Sequence, residues 1–375
     1  MRNSNMPKTS PIYGTFVVLA IIFGLYACKD DTIGLDLEID QISRLYVSFE
    51  EYESSGGEMP DTNLRVIQPA DSSVFAFRES IVSSVEGGGA IYFNPYLRAV
   101  FQASVNASKI DTGFAVVEVV RTTGLLNNIG MMESRYYNNV KGFVYQGSTT
   151  SLLVVNGAGD DAGIYMVDQP RSGGGNKQPW KKLRNPDLDM WGAAFYADRL
   201  FTSKLNAPVG LYVFENITTI PVNPVDSVAT LHPTRTVEIR NATNLRGLSY
   251  DTIRNVMAIA DFGDGETLGT GRILIFDNFS SLINGGGTIT PTRVITGTKT
   301  GLIEPVDVAL DMREAGEYLY VADRTAEKVI RFRYTDNGDV EPDKVIDTST
   351  LPYGRKPVGL SLDARDHTSD PNYAR

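Results

Sequence analysis

The sequence predicts an all-β protein in which a four-stranded unit repeats six times and closes into a ring. A four-part motif of short apolar runs recurs along the chain with a period of roughly 40–50 residues, which is the period of a propeller blade. The runs are rich in Val, Ile, Tyr and Phe and are bounded by Gly, Asn, Asp and Pro, as strands and turns are. The two chain ends carry complementary parts of one motif. These observations predict a single six-bladed β-propeller, with a pair of β-sandwiches as the alternative.

The N-terminal unit has only three of its four strands. Runs 45–49, 64–67 and 74–77 match the second, third and fourth parts of the motif, and no first part precedes them. Near the other end, run 357–362 is a first part that nothing completes. We therefore expect Leu360 and its neighbours to pair with residues 45–49, because closing the ring removes open sheet edges that promote aggregation.

Five units lie between these two fragments. Their first runs are residues 89–93, 142–145, 191–195, 245–250 and 305–310. Beyond the N-terminal segment, no stretch has the periodicity of an amphipathic helix. The triple glycines at 173–175 and 285–287 predict flexible loop tips, because neither has the Lys-Ser/Thr partner that a phosphate-binding loop needs.

The first 27 residues have the layout of a secretion signal. Arg2 and Lys8 precede an apolar run over residues 15–27, and Cys28, the single cysteine of the chain, follows it directly. The run is short for a membrane span, which needs about 20 apolar residues. Its end resembles the bacterial lipoprotein lipobox, which implies a lipid on Cys28 and a mature chain that begins there. An uncleaved membrane anchor is the alternative.

These features predict four segments. Residues 1–27 form the signal peptide, 28–41 an acidic tether, 42–363 the propeller and 364–375 a polar tail. The sequence Lys29-Asp30-Asp31 resembles a surface-export tag of Gram-negative lipoproteins. The expected location is therefore the outer membrane, with a lipid anchor as the membrane partner and with exposure at the cell surface.

Composition narrows the range of functions. The net charge is −10, and removing Arg2 and Lys8 with the signal makes it −12 (−10 − 2). An acidic chain argues against a nucleic-acid partner, because phosphates are bound by a basic surface. The chain has two histidines, His232 and His367. A serine or cysteine catalytic triad needs a histidine as its general base, so the composition argues against both kinds of triad.

The two clearest repeats resemble NHL-like and gluconolactonase-like propellers. The resemblance rests on Pro305-Val306-Asp307-Val308 and on run 318–323 followed by run 328–332, and as architecture it covers the mature chain. It implies a divalent cation, Ca²⁺ or another ion such as Mg²⁺ that oxygen ligands suit, at the mouth of the central channel. The full ligand set of that family is not recognisable in this sequence. The weak candidates for metal ligands are Asp261, Asp264, Glu266, Glu304 and Asp307.

Chemically different residues stand at or near the start of the first runs, and small residues follow most of them. In a propeller these positions approach the central axis, where only small side chains fit. We predict that Lys141, Trp191, Arg246 and Asp307 surround the channel mouth and bind a small polar ligand. The alternative is that these side chains fill the pore and pair their charges, Arg246 with Asp307 in particular.

The predicted function is a non-catalytic binding or interaction module on the cell envelope. Its partners would be the membrane, through the lipid, and a small polar ligand or an envelope protein. The alternative function is a metal-dependent hydrolase of the lactonase type, because one fold supports many functions. Asp261 and Asp323 end equivalent runs, and for both we predict a structural role in accepting backbone N–H groups.

Overall fold

The computed structural model describes residues 42–50, 62–105, 112–120, 123–171, 174–352 and 354–366. Within these ranges the strands form six sheets, antiparallel except for short parallel additions at three outer edges, and each sheet contacts the next until the last returns to the first. The chain is therefore a six-bladed β-propeller, as the sequence predicts. Blade 1 holds β1 (Ile42–Phe49), β2 (Leu64–Ile67) and β3 (Phe77–Ile81).

Blades 2 to 6 follow in chain order, each starting with its inner strand. Blade 2 holds β4 (Gly88–Asn94), β5 (Ala99–Ser104), β6 (Gly113–Val119) and β7 (Leu126–Glu133); blade 3 holds β8 (Val140–Gln146), β9 (Ser151–Asn156) and β10 (Gly163–Asp168). After β11 (Gly175–Asn176), blade 3 is completed by β12 (Lys181–Arg184). Blade 4 holds β13 (Met190–Tyr196), β14 (Arg199–Lys204), β15 (Gly210–Glu215) and, after β16 (Val228–Thr230), β17 (Arg235–Ile239).

The last two complete blades are the most regular. Blade 5 holds β18 (Leu245–Asp251), β19 (Val256–Asp261), β20 (Arg272–Asp277) and, after β21 (Thr288–Ile289), β22 (Arg293–Thr296). Blade 6 holds β23 (Pro305–Leu310), β24 (Tyr318–Asp323), β25 (Lys328–Arg333) and β26 (Lys344–Asp347), and β27 (Pro357–Arg365) ends the described chain. Strands β11, β16 and β21 add in parallel to the outer edges of blades 2, 3 and 4.

The two ends of the chain close the ring within blade 1. Strand β27 lies innermost in that blade and pairs antiparallel with β1, with Leu360 opposite Val47 and Leu362 opposite Leu45. This is the predicted pairing of the C-terminal run with residues 45–49, and it is confirmed. The ring therefore closes through backbone hydrogen bonds between the first and the last described strands.

The apolar core is divided among the six interfaces between blades. Each of six clusters of buried side chains draws on two neighbouring blades. Strand β19 shows why its sequence is apolar without a break: Met257 and Ile259 face blade 4, whereas Ala258 and Ala260 face blade 6. Alternate residues of a strand point to opposite sides, and here both sides are covered.

Two local predictions are wrong. The third strand of blade 1 begins at Phe77, not at residue 74, because the preceding segment packs on blade 6, where Phe75 stacks on Tyr320. A short helix, α1 (Phe279–Gly285), also lies where the sequence predicts none. Its seven residues bury only Phe279 and Ile283, which is too little for a periodic signal.

Two 3₁₀ turns, Ile217–Thr219 and Thr298–Thr300, are the other helical segments in the described ranges. None of the helices found there is long and apolar enough to span a membrane. The predicted signal peptide, the tether and Cys28 lie outside the described residues.

Candidate functional site

The inner strands bring equivalent positions together at one end of the channel. Counted from the first residue of each inner strand, Lys141, Trp191 and Arg246 are all second residues, and they belong to the neighbouring blades 3, 4 and 5. Asp307 is not equivalent to them. It is a third residue, and Val306 takes the second position in blade 6. The prediction that the four residues occupy equivalent positions is therefore wrong for Asp307, which lies one residue farther along its strand than the other three.

Asp307 stands where most other blades have a glycine. The third residues of the inner strands form an axial ring, which consists of Ala90, Gly142, Gly192, Gly247, Asp307 and Gly359. A Cβ atom on Gly142 would lie 2.7 Å from Gly192, and one on Gly247 would collide with the carboxylate of Asp307. Small residues are required here because the blades meet at the axis, so the ring has room for this single acidic side chain.

The carboxylate of Asp307 joins blade 6 to the closing strand. Its Oδ2 accepts the backbone N–H of Leu360 at 2.7 Å, and its Oδ1 accepts that of Val308 at 2.9 Å. The residue as a whole is half-buried, but its carboxyl group is enclosed by protein, and this burial raises the pKa of Asp307 to about 7, with the two hydrogen bonds opposing the rise. The carboxyl group therefore titrates well above the usual range of an aspartate.

The predicted pair between Arg246 and Asp307 is not formed. Both oxygens of Asp307 are directed to backbone N–H groups, and the ion pairs among the described residues do not include this one. Arg246 instead contacts aromatic rings. The guanidinium carbon Cζ lies 4.6 Å from the centroid of Trp191 and 4.3 Å from that of Phe262.

Lys141 completes a continuous cluster across three blades. Its ammonium nitrogen lies 4.3 Å from the ring centroid of Trp191, so one indole contacts a cation from the preceding blade and another from the following blade. We call Lys141, Trp191, Arg246 and Phe262 the mouth cluster. The structure brings three of the four predicted ligand-binding residues into contact, with Asp307 one residue deeper in its strand.

The two cations of the mouth cluster are held at an electrostatic cost. Burial lowers the pKa of Lys141, and repulsion from Arg246 lowers it further, against weaker attraction by Glu50 and Asp189. Burial also lowers the pKa of Arg246, although it remains a cation at any physiological pH. Contact with ring faces compensates part of this cost, because the π-electron face attracts cations.

Two carboxylates that act on the mouth cluster, Glu50 and Glu304, are bound to another cation. Arg324 pairs with Glu50 and also with Glu304, at 3.2 Å in the second case. The pKa of Glu50 is lowered because hydrogen bonding and attraction by Arg324 outweigh its burial. Sequence inspection missed Phe262, Glu50 and Arg324, because each directly follows the end of a strand and its contacts depend on loop geometry. The pairing of Glu50 with Arg324 also needs the ring closure that joins blade 1 to blade 6.

The candidate metal ligands do not assemble into a cation site. Across the described residues, no three His, Cys, Asp or Glu side chains are placed to hold a metal ion. Asp261 accepts the N–H groups of Thr243 and Asn244 and pairs with Arg272. Glu304 is occupied by Arg324. Their oxygens are used by the protein, so the residues do not fit the divalent cation that the resemblance implies.

The other two candidates have local roles as well. Asp264 accepts the backbone N–H groups of Glu266 and Thr267, and these bonds hold the pKa of its carboxyl well below the usual range. Glu266 is therefore a backbone donor in that turn. Asp323, like Asp261, accepts backbone N–H groups of the segment before an inner strand, those of residues 303 and 304. The predicted structural role of these two aspartates agrees with this geometry.

The propeller fold has known counterparts, whereas the sequence has none that is recognisable. No family model matches it, and no curated protein matches it. A chain of the nidogen/laminin complex is similar with a TM-score of 0.51 and 11% identity, over 85% of this chain and 98% of that one. A candidate 6-phosphogluconolactonase from Bacteroides uniformis has a TM-score of 0.49 and 14% identity, over 82% of both chains. At such identities the likeness shows the fold alone.

Proposed function

We propose that this protein is a non-catalytic binding module of the bacterial cell envelope and that its ligand binds at the channel mouth. The observation that carries the proposal is the mouth cluster, in which two partly buried cations surround one indole. Clefts lined by aromatic side chains with a few converging polar groups are the usual form of small-ligand sites. Four of the five candidate metal ligands, all but Glu266, direct carboxylate oxygens to protein groups, and this supports binding over the lactonase alternative.

Fluorescence of Trp191 provides a direct test of ligand binding at the mouth. The chain has two tryptophans, and Trp180→Phe leaves Trp191 as the only indole. Trp180 is 39% exposed on blade 3, so this change should be tolerated. We expect a saturable change in Trp191 emission with at least one member of a panel containing glucose, gluconolactone, acetate and inorganic phosphate, because any ligand at the mouth alters the surroundings of this indole.

The same samples distinguish binding from catalysis. We expect gluconolactone to hydrolyse at its uncatalysed rate when the protein is present with Ca²⁺ or Mg²⁺. A Trp191→Phe variant that keeps Trp180 serves as the control and should give no response. Rapid cation-dependent hydrolysis would replace the proposal by the lactonase alternative, and a silent Trp191 with every probe would contradict a binding site at the mouth.

The membrane location is part of the same proposal and rests on Cys28. Replacing it, Cys28→Ser, should move the protein from the membrane fraction to the soluble fraction, or leave it unprocessed, because no thiol remains to carry the lipid. Fractionation and intact mass measurement check this outcome. Normal mature mass together with unchanged membrane retention would exclude the lipid anchor.

A further inference from the structure

We propose that the ligand of the channel mouth is a small oxyanion, a molecule bearing a single carboxylate or phosphate group that bridges Lys141 and Arg246. This inference rests on the proposed binding function and gives its ligand a chemical class. It follows from three properties of the mouth cluster. The two cations have no anionic partner at contact distance, the distance between them suits one anion, and most N–H donors of Arg246 have no acceptor among the described residues.

The two cations lack anionic partners at contact distance. Among the described residues, neither Lys141 nor Arg246 takes part in an ion pair within 4.0 Å, whereas most arginines on the neighbouring strands do. The acidic groups that influence them, Glu50, Asp189, Glu304 and Asp261, act from farther away. Two like charges that are partly withdrawn from water and uncompensated at short range repel each other, and an anion between them removes that cost.

The separation of the two charges suits one oxyanion. Because both distances are measured to the same indole centroid, the Lys141 ammonium and the Arg246 guanidinium carbon are at most about 9 Å apart. Two charge-assisted hydrogen bonds of ~2.8 Å and the ~2.3 Å between two oxygens of a carboxylate or phosphate span about 8 Å between donor nitrogens, and the bond from Nη to the guanidinium carbon adds ~1.3 Å, which together reach about 9 Å. A single group can therefore contact both cations, with no need for an extended polyanion.

Most N–H donors of Arg246 have no acceptor among the described residues. Arg246 makes one hydrogen bond among the described residues, from Nη1 to the carbonyl oxygen of Leu245 at 2.9 Å. The rings of Trp191 and Phe262 contact the guanidinium and leave its remaining N–H donors for a planar acceptor. The stem of Lys141 packs over Gly157, where a Cβ atom would approach Lys141 Cγ to 2.6 Å, so its position is fixed by packing.

The test compares anions with a neutral probe in the Trp180→Phe background. Inorganic phosphate and acetate are titrated at constant ionic strength, and glucose serves as the neutral probe. We expect saturable binding of at least one anion in the millimolar range, and a loss of tenfold or more in affinity in both Lys141→Met and Arg246→Met. Comparing the two anions shows whether the site takes phosphate or carboxylate. Lys299→Met, which removes an exposed cation outside the cluster, should bind as the parent does.

Thermal unfolding gives a second readout that a purely structural cation would not produce. Without ligand, Lys141→Met should raise Tm by about 1–3 °C, because the folded protein loses a desolvated and repelled charge while keeping the stem contacts. Added phosphate should raise Tm of the parent and not of this variant. A lower Tm for Lys141→Met, with unchanged anion affinity, would show that the lysine only supports the fold.

The outcomes separate the two proposals. If glucose or gluconolactone changes Trp191 emission while neither anion does so up to about 50 mM, the oxyanion inference is wrong and the binding function stands. If anions bind equally well to the parent, Lys141→Met and Arg246→Met, the mouth cluster is not their site and the inference is again overturned. If no probe changes the emission, both proposals fail.

Discussion

Deleting the residues after 353 is expected to unfold the whole propeller, not a single blade. The deletion removes β27, the inner strand of blade 1, which pairs with β1 along its length. It also removes Leu360 from the core between blades 6 and 1 and the N–H group that Asp307 accepts. We expect a loss of at least about 5 kcal/mol, which is comparable to the total stability of an ordinary domain.

The loss should spread because every core cluster is shared by two blades. Opening the ring exposes the edge of β1 and one side of the inner strand of blade 2, where Phe93 donates its N–H to Ser361 at 2.7 Å. Urea denaturation followed by circular dichroism checks the result, and deletion after Asp366, which keeps β27, is the matched control. A truncated protein that melts like the parent, or one that loses only a single blade in a separate transition, would contradict this interpretation.

The sequence is sufficient to predict the ring because the same strand pattern recurs in every blade and because the middle strands are apolar on both faces. In blades 2 to 6 the middle strands are buried on both faces, as β19 is, so these runs stand out from the polar turns. The closure could also be predicted, since an incomplete unit at each end has one simple explanation. These features depend on local pattern and on counting, which a single sequence provides.

The errors occur where contacts between distant segments decide the local structure. The segment before β3 is apolar enough to be a strand, but Phe75 packs against Tyr320 and Arg331 of blade 6. The sequence comparison aligns Asp307 with the second residues of the other inner strands, although it is the third residue of its own strand, which begins with Pro305-Val306. The reason is that each inner strand has a bulge after its first residue, and a bulge cannot be aligned without coordinates. The register follows from the hydrogen bonds, which pair Asp307 with Ala322.

The candidate site could be predicted only in part for the same reason. Lys141, Trp191 and Arg246 differ among equivalent positions, and that divergence is visible in the repeats. The contact of Arg246 with Phe262 and the pairing of Glu304 with Arg324 depend on how loops fold within one blade. The pairing of Glu50 with Arg324 depends on the ring closure that brings blade 1 to blade 6. Opposite charges in neighbouring repeats, such as those of Arg246 and Asp307, therefore do not suffice to predict an ion pair without the geometry.

The seam between blades 6 and 1 contains the most buried arginine among the described residues. Arg331 is 1% exposed, and its Nη1 donates to the carbonyl oxygens of Ala70 and Ser72 at 2.6 and 2.8 Å. Its Nε donates to Asp343 at 2.7 Å, and its guanidinium carbon lies 4.2 Å from the ring centroid of Tyr318. The side chain thus ties the segment before β3 to blade 6.

Replacing this side chain, Arg331→Met, is expected to cost about 3–5 kcal/mol of unfolding free energy. The methionine fills similar space but leaves the buried carbonyl group of Ala70, the half-buried one of Ser72 and the Asp343 carboxylate without their donor. Breaking a largely buried ion pair from one side is costly in this range. Arg333→Met is the matched control, because Arg333 lies on the same strand and near the same tyrosine, yet its side chain is 52% exposed. It should change stability by less than about 0.5 kcal/mol. Equal effects of the two substitutions in urea denaturation would mean that Arg331 does not hold this seam.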